Sequence, residues 1–86
     1  IQLLKSKDPD ARYGAARTLG DICDERAIPG LINALVDDEI PVRFWAVDAL
    51  GKLEAREAIS AISRLLRDES RVVRDMAKNV LKKMGV

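Results

Sequence analysis

An all-α superhelix of stacked helical hairpins is the fold this sequence predicts, and three observations predict it. The chain repeats itself at a spacing of 31 residues: Arg12, Arg43 and Arg74 align, as do Ala15, Ala46 and Ala77, and Leu19, Leu50 and Leu81. Within a unit the apolar residues recur at helical spacing, as Val42, Ala46, Ala49, Leu50 and Leu53 do over 42–53. No stretch has the apolar-polar alternation of an exposed strand, and β-branched residues are thinly spread. Two short helices per unit, each with an apolar face too large to hide alone, must stack on their neighbours, giving an α-solenoid of about two and a half units. The spacing divides the chain into the tail of a truncated repeat (1–7), two repeats (8–38 and 39–69) and a C-terminal half repeat (70–86).

Taken in order, Ile1, Leu3 and Leu4 read as the end of a helix whose beginning is missing, because Leu4 aligns with Leu35 and Leu66. That start exposes apolar surface and predicts further repeats upstream or self-association of the chain. Asp8-Pro9-Asp10 supplies a turn, a cap and an acidic first turn for a helix over 10–22. Gly20 near its end suits close packing and termination. Asp24 and Glu25 open a helix running to about Val36 with Ile28, Leu31, Ile32 and Leu35 inward, and Pro29 reads as a first-turn proline. The acidic link Asp37-Asp38-Glu39 and Pro41 lead into 42–53. A helix over 54–67 follows, with Ala58, Ile59, Ile62, Leu65 and Leu66 inward, and the last helix covers 71–84.

Composition sets the broad class. With 48% hydrophobic and 34% charged residues the chain is a folded domain rather than a disordered one. A formal charge of +1 gives no global attraction to nucleic acid or acidic membranes. The signs are unevenly placed, acidic over 21–39 and basic from Arg71 onward, as solvated faces of different helices would be. One cysteine allows no intrachain disulfide, and neither a signal-peptide pattern nor an apolar run of membrane-spanning length is present, so a cytoplasmic protein is expected. The first residue, Ile rather than Met, suggests a processed or excised segment.

The unit can be written D-x-x-V-R-x-x-A-x-x-A-L-G-x-L followed by D-x-x-A-I-x-x-L-x-x-L. EIPVRFWAVDALGKL over 39–53 fits the first part and 24–37 the second. This pattern resembles the short HEAT-like repeats named after phycobilisome lyases, and the resemblance covers nearly the whole chain. It departs at Lys82, where the glycine of Gly20 and Gly51 is lost, and at Leu53-Glu54, where the usual Gly-Asp link is shortened. The resemblance implies a solenoid that serves mostly as a binding scaffold, with the V-R helices lining the concave surface and their outward positions making contact. Carried over residue by residue, those positions are Tyr13, Gly14, Arg17 and Asp21; Phe44, Trp45, Asp48 and Lys52; and Asp75, Met76, Asn79 and Lys83.

Periodicity independently places Phe44 away from the apolar side of its helix and Trp45 on the flank. The chain's one Tyr, one Phe and one Trp all fall in this set, and aromatic and Met side chains among charges are the usual makeup of a protein-binding hot spot. The competing reading is packing, with Trp45 over the neighbouring helix and Tyr13 over the first turn. The expected partner is a protein, and no cofactor is expected. The alternative carried by the resemblance is a lyase or chromophore chaperone for a bilin, contacted by Tyr13, Phe44 and Trp45.

Arg12, Arg43 and Arg74 could form a basic ladder for phosphates. A position repeated in every unit is better read as architectural, each arginine bonding an acidic or carbonyl group near links such as those at Asp37 and Asp68. Cys23, without a basic partner at useful spacing, reads as a small buried residue. The chain has no His, the commonest general base and metal ligand. Iron-dependent hydroxylases built on such repeats use paired His-Glu motifs, so that activity is not expected, and the chain reads as a non-enzyme. Weak nucleic-acid binding through Arg71, Arg74, Lys78, Lys82 and Lys83 is a further alternative, disfavoured by Asp21, Asp48 and Asp75 on the corresponding surface.

Overall fold

The computed structural model describes residues 2–86 and consists, among these, of helices alone. Helix α1 spans Pro9–Ile22, α2 Ile28–Ala34, α3 Ile40–Lys52, α4 Ile59–Arg64 and α5 Arg71–Lys83. Helices α1, α3 and α5 pack side by side in that order, and α2 and α4 turn back as the second arms of the hairpins. The fold is thus an all-α, solenoid-like stack, as the period requires. Where the tail of a helix is expected at the start, the chain forms a single 3-10 turn over Gln2–Lys5; Ile1 lies outside the described residues.

Helix α1 begins where Asp8 Oδ1 accepts from the Asp10 amide at 3.0 Å, with Pro9 in the first turn, where its missing N–H costs nothing. Helix α3 begins two residues earlier than the sequence suggests, with Pro41 again inside the first turn. Its residues Val42, Ala46, Val47, Ala49 and Leu50 are all fully buried. A helix clad by α1 on one side and α5 on the other has little solvent face left, so apolar residues run around most of it.

The second arms differ from the continuous helices expected. Each opens with a 3-10 turn, Glu25–Ala27 or Arg56–Ala58, and the last turn of the fourth helix tightens again over Leu65–Arg67. Pro29 does sit in the first turn of α2. Leu4 is buried, contrary to the expectation, whereas its neighbour Leu3 is exposed; Leu66, expected inward, is 43% exposed.

Two links depend on left-handed residues that are not glycine. Cys23 (φ 57°) ends α1, its amide donating to the Leu19 carbonyl. It is exposed, with the thiol 3.1 Å from the Gly20 carbonyl, which corrects the expectation of a buried cysteine: the C-cap position turns it outward. Glu54 (φ 50°) does the same after α3, where the Ala55 amide reaches back to Leu50 O at 3.0 Å. Glu54 is therefore a turn residue and not the start of a helix. Gly20 serves packing rather than termination: a Cβ there would lie 2.9 Å from Ala49 Cα.

Candidate partner-binding face

The repeated arginines set the spacing of everything else. Arg12 donates to Ser6 O at 2.7 Å and to both carboxylate oxygens of Asp37, at 2.9 and 3.3 Å. One repeat on, Arg43 donates to Asp37 O at 2.7 Å and to Asp68 Oδ2 and Glu69 Oε1 at 3.1 and 3.2 Å. Its Nε lies 2.9 Å from Asp68 Oδ1 but is not aligned for a hydrogen bond. Arg74 donates to Asp68 O at 2.7 Å. Asp37 and Asp68 also accept from the amides of Glu39 and Ser70, each at 2.9 Å. Each arginine therefore ties the link before its own helix, and Arg12 and Arg43 also tie the link 25 residues on. With Arg43 only 6% exposed, this is an architectural ladder and not a phosphate site.

With the helices so fixed, the sequence-predicted contact residues fall into three groups. The first is aromatic. Trp45 meets Phe44 edge to face, with ring centroids 5.1 Å apart and planes at 88°, and the Arg17 guanidinium stands 5.0 Å from the Trp45 ring centroid. Arg17 is exposed; Tyr13, Phe44 and Trp45 are half-buried and packed against the core. Phe44 therefore does not project freely from α3 but is half-buried against the core. Gly14 is on α1, away from any side chain that a Cβ would meet.

The second group is a charge cluster bridging α1 and α3. Lys52 Nζ lies 2.9 Å from Asp21 Oδ1 and 3.3 Å from Asp48 Oδ2. Its hydrogen bond to Asp21, then that to Asp48, holds the ammonium above its ordinary pKa. The third group is the groove between α3 and α5, an open depression of about 510 Å³ that brings together Asp48, Lys52, Met76, Asn79 and Lys83. Asp75 stands outside it, exposed and 3.7 Å from Arg71. Lys82 also lines the groove. The sequence marks it as the loss of the repeat glycine and as one of the basic residues of the last helix, but not as part of the partner-binding set, although a lysine replacing a packing glycine is itself a sign of a free surface.

The chain matches the model for HEAT repeats over residues 1–85. It belongs to the HEAT-repeat family. Of curated proteins, deoxyhypusine hydroxylase of Candida albicans is 34% identical over 74 residues, which are 81% of this chain and 23% of that protein. Among solved structures, the complex of CpcE and CpcF of phycocyanin lyase from Nostoc sp. PCC7120 superposes with a TM-score of 0.90 at 33% identity, covering 96% of this chain and 35% of that one. Human deoxyhypusine hydroxylase in complex with glycerol gives a TM-score of 0.88 at 26% identity, covering 98% and 30%. The chain thus spans a quarter to about a third of the relatives it matches.

These matches overturn the reading of the chain as a non-enzyme, since the relatives it matches in part are enzymes, a hydroxylase and a lyase. The paired His-Glu donors that the resemblance associates with iron do not fit this chain, which has no His, and no trio of His, Cys, Asp or Glu among the described residues is placed to hold a metal. None of the described helices is long and apolar enough to cross a membrane.

Proposed function

We propose that this HEAT-repeat chain is a binding scaffold that holds a protein partner on the face formed by α1, α3 and α5. The observation that carries the reading is the Arg17, Trp45 and Phe44 stack, in which aromatic rings are pre-positioned but only half covered. Rigid aromatic surface flanked by charge supplies contact area at low entropic cost and is the composition of interface hot spots. The relatives being enzymes, the partner in this reading is a protein substrate or a companion subunit; the phycocyanin-lyase structure is itself a complex of CpcE with CpcF. A cytoplasmic setting belongs to the same reading, supported by a single cysteine with no partner for a disulfide.

Affinity capture from a lysate of the native source tests it, using the native chain beside Trp45→Ala and Arg17→Gln versions with matched circular dichroism melts. A protein retained by the native chain and reduced severalfold with either variant supports the reading. Equal retention by all three, or a loss that only mirrors a lower melting temperature, assigns the rings to packing.

A second reading is favoured by the 33% identity to phycocyanin lyase: the same rings, with Tyr13, would lie against a bilin chromophore. Titration with a bilin decides it. A visible absorbance shift that Trp45→Ala diminishes supports chromophore handling, and an unchanged spectrum removes it.

A further inference from the structure

The groove between α3 and α5 has an apolar floor and a basic rim. Gly51, Met76 and Val80 form the floor, and the carboxamide of Asn79 lies exposed beside them. A Cβ on Gly51 would lie 2.9 Å from Val80 Cγ2, so the two helices close at that point and leave the depression on the surface above it. Three lysines and one carboxylate line the groove, and they are not equivalent. Lys52 is consumed by Asp21 and Asp48, which are its ion-pair partners. Lys82 and Lys83 have no carboxylate within ion-pair distance among the described residues, nor does Lys78 one turn before them. Asp75, the one carboxylate of α5, faces Arg71.

From this charge pattern we infer that the groove takes an acidic peptide segment bearing apolar side chains, the lysines meeting its carboxylates and Met76 and Val80 its apolar groups. The inference rests on the scaffold reading and names the chemistry of its partner. A nucleic acid fits less well, because no aromatic side chain among the described residues lines the groove to stack on a base and the apolar floor has nothing to offer a sugar-phosphate chain. The C-terminal end of α5 favours lysines in its last turn through the helix dipole, which accounts for their position on the helix but not for their flanking an apolar groove.

Fluorescence anisotropy with the full chain and labelled dodecapeptides of repeating Glu-Glu-Leu, Gln-Gln-Leu and Lys-Lys-Leu, and a twelve-thymidine oligonucleotide, tests the assignment. The expected result at low salt is binding of the Glu peptide about tenfold tighter than the Gln peptide, a preference that shrinks with added salt. Lys82→Glu with Lys83→Glu should erase that preference, with the melting temperature lowered only by the reversed charge at the end of α5, whereas Lys82→Arg with Lys83→Arg keeps both the preference and the melting temperature. Equal binding of Glu and Gln peptides overturns the inference and leaves the scaffold reading standing. Tighter binding of the oligonucleotide, or a double Glu variant that melts lower yet binds the Glu peptide as before, also overturns it. So does the absence of any peptide binding, in which case the capture experiment alone decides the scaffold reading.

Discussion

At the scale of the residue, Arg43 joins the most parts of the molecule. Its guanidinium holds a carbonyl of one link and two carboxylates of the next, and both its side chain and that of Asp68 are 7% exposed. A buried ion pair gains little over a well-packed apolar substitute, but deleting one partner strands the other without water. Arg43→Ala is therefore expected to lower the unfolding free energy by about 3–5 kcal/mol, leaving Asp68 buried without its cation. Arg74, which reaches only carbonyls, is the internal comparison. Arg74→Ala is expected to cost about 1–2 kcal/mol, the loss of hydrogen bonds from a charged donor. Urea unfolding of the two variants checks the order, since a shift in midpoint at constant slope reports stability alone. Equal losses would mean that the carbonyl bonds, and not the carboxylates, carry the ladder.

At the scale of the element, the approach of α1 to α3 is fixed by a missing methyl group. Gly20 faces the backbone of Ala49, which cannot move aside as a flexible side chain could. Gly20→Ala gains helix propensity of up to about 1 kcal/mol but forces the helices apart, and overpacking of this kind costs about 1–3 kcal/mol. Gly14, in the same helix with open space around it, is the opposite case. Gly14→Ala is expected to stabilise by about 0.5–1 kcal/mol. Thermal melts of the pair should move in opposite directions, and a stabilising Gly20→Ala would show that the helices slide freely. The glycine that matters could be read from the sequence because it recurs at Gly51, and the V-R helices because their Ala and Leu positions repeat. The second arms could not be read as well. A 3-10 turn and an α turn bury the same Ala27 and Ala58, so apolar spacing does not tell them apart. Cys23 and Glu54 hide their left-handed turns because nothing in a Cys or Glu side chain announces a conformation that glycine usually takes. That Tyr13, Phe44 and Trp45 all stand on the V-R helices was legible in the repeat, but their half-burial was not, because it depends on packing against residues far away in the sequence.

At the scale of the molecule, a stack in which each hairpin touches only its neighbours has a stability close to a sum of unit and interface terms. The interfaces here are unequal. Val42, Ala46, Ala49 and Leu50 are fully buried beneath α1, yet their counterparts one repeat earlier, Ala11, Ala15, Thr18 and Leu19, are half-buried or exposed and line an open cavity of about 450 Å³ with Leu3. Within the row of α1, α3 and α5, helix α3 has a neighbour on both sides, and α1 and α5 have one each. Local opening should then proceed from the ends. Native-state hydrogen exchange is expected to show the α3 amides protected nearly to the global unfolding free energy, with α1 and α5 opening at lower cost. Within α1, the turns bearing Ala11 and Ala15 should exchange faster than the turn around Gly20, which is clamped against α3. Equal protection throughout would mean that the three helices unfold as one unit and that the nearest-neighbour picture fails at this length. Repeating the exchange at higher protein concentration reads the open face directly. Protection confined to α1 that rises with concentration is the result expected of a second copy covering that face, and concentration-independent exchange is the result expected of a monomer whose first helix frays alone.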